Sequence, residues 1–507
     1  MTNRPAAAAV TLLLILVAAA ALRADRLGLE ELTTDEAFSW RMSLHPPAEI
    51  VARTASDVHP PLYYLALKAW TLAWGDSPVA LRSLSTVFGL AAVLLAGLVG
   101  REAGRWKGAG AAAGRVAAVA ALLVTIHADQ VSHSRHARMY AMGAFLAGLS
   151  AWLLLRALRS EERVLAWWTG YAVAATALCY THYYGAFTVA AQVLFAGVVL
   201  ARRGTRGALW RAHAWGGLGA VLVAVLLYGP WLPVLRRQMT RVSAQYWIEE
   251  SGPAAFASAL VRWASGIEWW PPSPWLVIAL FAAAAAVAAW RGDGGQRFLV
   301  LQAAVPWLGA LALSLLAGRP LLLERYLFFS QLALLVALGG VWSGMARPWA
   351  KRAFATALGA LLTVGLAVEV GGRPATEASA QDAARFLARS VSPRDLVLAS
   401  APRDLMVLRY YLDRDGPHRL QLRCPASKSE GHLSQVAAID RDEIVADDQV
   451  WADASRRVWR VRLHPPRRWQ PDPPPQGWRL AFSRWFEGPA STRVLVMVYE
   501  HGGGSDG

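Results

Sequence analysis

The sequence predicts a polytopic α-helical membrane protein that ends in a small soluble α/β domain. Three observations carry this. Hydrophobic residues make up 55% of the 507 and charged ones only 17%, more apolar matter than one soluble core can use. Apolar runs of about 17 to 22 residues, long enough to cross a roughly 30 Å hydrocarbon layer as helices, recur up to residue 372. After "GGRPATEASA" prolines and charges rise, and the apolar runs shorten to strand or amphipathic-helix length.

Eleven stretches qualify as spans: residues 5 to 22, 79 to 100, 111 to 127, 139 to 158, 164 to 182, 184 to 201, 214 to 231, 274 to 290, 298 to 317, 326 to 342 and 354 to 371. The first lacks a small-x-small cleavage site before "RADRLGLEEL" and reads as a retained anchor. The third carries Arg115 near its start, and only the turn "THYYG" parts the fifth from the sixth.

Every second loop is basic: "REAGRWKG", "RALRSEER", "ARRGTRGALWR", "RGDGGQR" and "ARPWAKR". Lys and Arg in short loops favour the cytoplasmic side. The pattern therefore expects the N-terminus inside. Residues 23 to 78, the 128 to 138 turn, "THYYG", residues 232 to 273 and the tail then lie on the periplasmic or extracellular side of a plasma membrane. The net charge of +16 is accounted for by topology and anionic lipid, without nucleic acid. No Walker motif, GxGxxG or internal repeat is present, so nucleotide-driven transport has no support. Two cysteines, Cys179 and Cys424, make neither a disulfide framework nor a metal motif.

The boundary falls at 372/373, with a membrane domain before it and an α/β domain over 373–507. In the latter, "ASAQDAARFLARSVSP" has helical spacing, "DLVLAS" reads as a strand and "RDLMVLRYYL" as a helix. "RRVWRVRLH" and "TRVLVMVYEH" read as strands, and "HPPRRWQPDPPPQGW" as a proline-rich connector.

About 55 residues between the first two spans is long for a connector. This segment, 23 to 78, holds "LTTDEAFSW", "RMSLHPPAEIVART" and "SDVHPPLYY". Short amphipathic helices on the membrane surface fit it. Asp35 is expected to cap a helix beginning at Glu36, and Pro61 to stand in the first turn of the next. Residues before proline are held extended, so Asp57 and His59 form a rigid polar turn above a helix carrying Tyr63, Tyr64, Lys68 and Trp70.

These blocks, with "GDSPVALRSLSTVFG", "HSRHARMYAM", "YTHYYGAF", "YGPWLPVL" and "ERYLFFSQLALLVALGG" in order, make the membrane region resemble the GT-C class of membrane glycosyltransferases. These use polyprenyl-phosphate sugars and include relatives of protein O-mannosyltransferases and lipid A aminoarabinose transferases. The resemblance implies an inverting transfer of a sugar from a lipid-phosphate donor to a hydroxyl of a glycan, lipid or protein. It also implies an acidic general base in the first external loop, which maps onto Asp35 with Glu36 beside it. A hydroxyl is a weak nucleophile, so a carboxylate must take its proton. The lipid phosphate leaves without a general acid if cations stabilise it, and Arg138 with Tyr140, and Arg325 with Tyr326, are the candidates.

Asp57 is a third candidate acid, and His59, Tyr63, Lys68, His182 and Tyr183 complete the expected substrate wall. A divalent metal is left open, with His59 and Asp57 as candidate ligands and Asp35, Glu36 or His182 as neighbours able to share it. The loop "RRQMTRVSAQYWIEESG", with Arg236, Arg237, Arg241 and Tyr246, reads as a lid. Trp231, Trp247, Trp269, Trp270, Tyr180 and Tyr184 read as an interfacial aromatic belt. The chain departs from the family where "SRHARMY" replaces an expected "SQEARMY": Arg135 and His136 stand for an amide and an acid. Two other readings stay open from residues alone. One is a lipid or solute transporter, which needs polar groups at mid-membrane; the other is an inactive scaffold of the same fold.

Overall fold

The computed structural model describes residues 4–107, 110–202, 207–244, 253–267, 274–318, 321–373, 379–415, 420–429, 437–453, 456–465, 473–488 and 493–502. Tyr246, Trp247, Trp269 and Trp270 lie outside them.

All eleven expected stretches are helical: α1 (Arg4–Ala24), α5 (Pro78–Gly104), α6 (Gly110–Ile126), α8 (Tyr140–Arg159), α9 (Val164–Thr181), α10 (Gly185–Arg202), α11 (Ala208–Tyr228), α14 (Pro274–Arg291), α15 (Gly294–Ala317), α16 (Phe328–Gly344) and α17 (Pro348–Gly371). Nine helices among the described residues are long and apolar enough to cross a membrane. The eleven stretches include two that are not among these. α6 is short, with 17 residues. In α9 two tryptophans, two tyrosines and three threonines dilute the aliphatic residues.

Shorter helices fill the connections: α2 (Thr34–Leu44), α3 (Pro47–Ser56), α4 (Leu62–Trp74), α7 (Ala128–His133), α12 (Leu232–Ala244) and α13 (Pro253–Ser265). The long second segment is thus the expected set of short helices, with one correction. The cap of α2 is Thr33, whose side chain accepts from the Glu36 amide while the Glu36 carboxylate accepts from the Thr33 amide. This reciprocal pair satisfies two end donors at once, and it moves the helix start ahead of Asp35. Pro61 is the N-cap of α4, one position before the expected first turn. Pro47 opens α3, so "LHPPAEI" is a helix start. The segment read as a lid begins as α12.

Within the bundle α5 packs on α6 and α8, α8 on α9, α9 on α11, and α16 on α6 and α15. Two glycines permit close approaches that shape the site. A Cβ at Gly89 of α5 would lie 2.1 Å from Ser134 Oγ, and one at Gly143 of α8 would lie 2.1 Å from a Phe329 ring carbon. Any side chain there would push the 134–139 turn or the start of α16 away.

The tail contains α18 (Ser379–Ser390), α19 (Pro402–Asp415) and six strands: β1 (Leu396–Ala399), β2 (Leu422–Pro425), β3 (Ile444–Val445), β4 (Val458–Leu463), β5 (Trp478–Glu487) and β6 (Arg493–His501). They form one sheet ordered β3-β2-β1-β4-β6-β5. The first four are mutually parallel, while β6 runs antiparallel to both β4 and β5. The strands expected at "DLVLAS", "RRVWRVRLH" and "TRVLVMVYEH" are β1, β4 and β6; β2, β3 and β5 were not expected.

The tail sits directly on the second segment. Trp40 meets Tyr410 edge to face at 5.0 Å, and the Leu32 amide donates to Tyr411 Oη at 3.0 Å. Arg41 pairs with Asp440 at 3.0 Å and with Glu443, and Arg53 with Asp440 at 2.6 Å. One buried apolar cluster runs from Met142 and Phe328 through Trp40 and Tyr64 to Val397 and Val496. The short helices 34–74 are therefore clamped between bundle and tail, and both lie at the same end of the molecule.

Candidate active site

The first turn of α2 separates two adjacent acids. Glu36 is fully buried. Its carboxylate meets Arg82 Nε at 2.7 Å and Nη2 at 2.9 Å, and the Ala137 amide at 3.0 Å. Burial would raise its pKa, but the Arg82 guanidinium more than offsets this and holds it at about 2. The remaining Arg82 hydrogens go to the carbonyls of Leu27, Glu30 and Glu31 at 2.9, 3.0 and 3.0 Å. With its oxygens so occupied, Glu36 fastens α2 to α5 and the 134–139 turn.

Asp35, one residue earlier, has a side chain 52% exposed. Its Oδ2 stands 3.8 Å from Arg138 Nε. Arg138 is itself buried and donates through Nη1 to the Asp35 carbonyl at 3.3 Å and to Tyr64 Oη at 3.4 Å. The Arg138 guanidinium, aided by Arg325 and His59, pulls the Asp35 pKa below the ordinary carboxylate value against partial desolvation and the Glu36 charge. Arg138 is held by its own backbone: Ser85 Oγ donates to its carbonyl at 3.2 Å, and Thr86 donates to the Ser134 carbonyl at 3.0 Å. Both partners are on α5, about one turn from the Arg82 that clamps Glu36.

Beside this acid lies the rigid turn. Asp57 Oδ2 and His59 Nδ1 are 3.0 Å apart. Asp57 Oδ1 is buried with no hydrogen-bonding partner. The His59 ring faces His182 at 6.3 Å, and His182 in turn stacks near Tyr326 and Phe329, both at 5.1 Å, and near Tyr140 at 6.2 Å. Arg325 is exposed, with its guanidinium 5.6 Å from the Tyr326 ring centre. Asp35, Asp57, His59, Arg138, Tyr140, His182, Arg325 and Tyr326 thus gather at one end of the bundle, where α2, α4, α8, α9 and α16 meet.

Other expected residues are used differently. Lys68 Nζ donates to the Leu44 carbonyl at 3.3 Å, closing the last turn of α2. Tyr183 turns away from the ring cluster to Gln238 of α12 and to Trp231 Nε1 at 3.0 Å. Gln238 ties on to the Thr54 carbonyl at 2.7 Å. Tyr63 is buried 3.3 Å from Ser85. Arg135 is buried, binding the Arg23 carbonyl at 3.1 Å and Glu30 at 2.6 Å, and His136 Nδ1 lies 2.8 Å from the Ser132 carbonyl. Of the two residues that depart from the expected motif, Arg135 therefore pins the segment after α1, while His136 bonds within its own turn.

Sequence reasoning passed over Arg82 and His133. Arg82 hides in "PVALRSL" near the start of a span; a lone charge in an apolar helix was the available signal. His133 is sandwiched between Tyr140 at 4.7 Å and Phe328 at 4.5 Å, and nothing local marks it. Among the described residues no three His, Cys, Asp or Glu side chains form a metal-holding group. Asp57 and His59, the expected candidate ligands, are bound to each other through Oδ2 and Nδ1.

No protein-family model and no curated protein matches the chain. Solved structures do. ArnT from Cupriavidus metallidurans bound to undecaprenyl phosphate superimposes with a TM-score of 0.60 at 14% identity, covering 96% of this chain and 97% of that one. The same protein in the apo state gives 0.63 at 15% identity, with 97% and 98% covered. An Archaeoglobus fulgidus oligosaccharyltransferase in complex with Zn and sulfate gives 0.50 at 11% identity, with 89% and 67% covered. The chain has the GT-C membrane fold, tail included.

Proposed function

We propose that the chain transfers a sugar from a polyprenyl-phosphate donor to a hydroxyl acceptor, with inversion at the anomeric carbon and Asp35 as the base. The observation that carries this reading is a half-exposed Asp35 whose Oδ2 lies 3.8 Å from Arg138 Nε and whose charged form Arg138 and Arg325 both favour. That arrangement keeps a base charged beside two cations suited to a leaving phosphate. The fold supports the donor class, since ArnT of the same architecture binds undecaprenyl phosphate.

In this scheme Asp35 takes the acceptor proton as the acceptor oxygen forms its bond to the anomeric carbon. The bond from that carbon to the phosphate oxygen breaks, and its electron pair leaves on the lipid phosphate. Arg325, exposed on the site, meets that charge, while Arg138 orients Asp35 through its carbonyl and carboxylate. His182, Tyr140 and Tyr326 form an aromatic wall on which a sugar ring stacks. The prenyl tail has an apolar cavity of about 250 Å³ lined by Trp263, Phe281, Trp307 and Leu334, along the helix that follows Arg325. Such a site needs no mid-membrane polar path, unlike a transporter.

The test uses purified full-length protein with labelled polyprenyl-phosphate sugars and reads release of polyprenyl phosphate. Release that falls about a hundredfold or more in Asp35→Asn, with donor binding retained, is expected. Equal release by wild type and Asp35→Asn would sink the assignment.

A further inference from the structure

The tail sheet has a feature that the transferase reading does not use. From β1 the chain passes through α19 to β2 and then to β3, stepping one way along the sheet; β4 then lands on the other side of β1. In an open parallel sheet such a reversal leaves a crevice outside the carboxyl ends of the two strands, where small ligands bind. A cavity of about 320 Å³ lies there, lined by Ser400 to Asp404 after β1, by Ser427 and Lys428 after β2, and by Arg462 near the end of β4. This is the lower end of the size range of small-molecule sites.

Its polar groups are mismatched in the absence of a ligand. The Asp404 side chain is only 2% exposed, yet neither carboxylate oxygen has a well-formed hydrogen bond, the Leu463 amide being a donor that merely approaches it, and the buried Ser400 Oγ has no partner. An acid at the third position of a helix often caps its own first turn. Asp404 does not, and its nearest cation is Arg403 Nε at 3.6 Å. A buried carboxylate without donors is costly unless something supplies them. Around it stand Arg403, Lys428 and Arg462, a surplus of positive charge at the mouth.

The geometry points to a second carbohydrate site: this crevice binds a monosaccharide unit bearing a phosphate or carboxylate. Sugar hydroxyls donate to Asp404 and Ser400, and the anionic group meets Arg403 and Lys428. Both needs are met by one ligand, whereas a bare anion would leave Asp404 unsatisfied and facing like charge. The inference is independent of Asp35 and of any lipid donor.

The test titrates the full-length protein in detergent with glucose 6-phosphate and with glucuronate, using inorganic phosphate and glucose as controls, by calorimetry. Binding of at least one sugar acid below about 1 mM is expected, with Asp404→Asn and Lys428→Ala each weakening it at least threefold and Asp35→Asn leaving it unchanged. Lys428 is exposed, so its variant decides the matter should Asp404→Asn fail to fold. No binding of either sugar acid, equal affinity for inorganic phosphate, or unchanged affinity in both variants would overturn the proposal. Which of the two sugar acids binds tells a phosphate source from a uronic one.

Discussion

Arg82 grips both oxygens of Glu36, at 2.7 and 2.9 Å, with the two side chains 1% and 0% exposed. The pair joins the first short helix to a membrane helix 46 residues later, and the Arg82 carbonyl contacts draw the preceding segment around it. The segment holding α2 therefore rests on a buried ionic peg, while its neighbour Asp35 stays half-exposed, as the proposed base requires.

Removing one partner of that peg leaves an uncompensated buried charge. Arg82→Ala should cost about 3 to 5 kcal/mol, read as loss of thermal stability in detergent. Glu36 has its pKa held down at about 2. Its stabilising contribution is complete above the unfolded carboxylate range and is lost only as pH falls toward that value. Between pH 5 and 7 Glu36 should therefore add stability without adding any pH dependence; a Glu36→Gln protein with wild-type stability at pH 7 would contradict the peg.

Arg138 is the largest cause of the lowered Asp35 pKa. The base should accordingly stay ionised from pH 7 to 5, and kcat should show no acidic limb there. Arg138→Gln should move that limb upward toward the ordinary carboxylate range, in addition to lowering kcat. A pH profile that keeps its position in Arg138→Gln would show that Arg138 does not set the charge of Asp35.

Arg325 is exposed, so its replacement should leave folding alone. Arg325→Lys should lose roughly tenfold in donor affinity, because an ammonium cannot reproduce a planar fork on phosphate. Donor binding by Arg325→Ala equal to wild type would remove it from the clamp.

Glu31 joins the loop to the tail, accepting from the Ala380 amide at 3.2 Å and Ser379 Oγ at 3.3 Å. Burial pushes its pKa up to about 7 despite those bonds. Between the unfolded value near 4.5 and 7 the folded state holds the extra proton, so this group's contribution falls as pH rises through that window. Hydrogen exchange of α18 should quicken from pH 5 to 7 beyond the chemical trend, and Glu31→Gln should flatten the dependence.

Sidedness can be read by impermeant maleimide on intact cells. Asp448→Cys in the tail should label from outside and Arg202→Cys, at the end of α10, only after lysis, as the basic loops require. The reverse pattern would invert the topology.

The membrane character, the eleven helical stretches and strands β1, β4 and β6 could be read from the chain alone, because hydropathy and period are local properties. So could the short helices of the segment holding Asp35, Asp57 and His59, through its length and its prolines. What the residues could not settle was the division of labour within "TTDE". Successive helical residues point about 100° apart, and which of the two acids meets Arg82 depends on a helix that is distant in sequence. Lys68 and Tyr183 were drawn toward the site by their neighbours in sequence, yet tertiary contacts claim them for the end of α2 and for α12. His133, the buried Arg135, the docking of Tyr410 and Tyr411 on α2, and the unpartnered Asp404 likewise arise only when distant elements meet. Burial and pairing are properties of the assembled chain, and they turn similar side chains into a peg, a base or a strut.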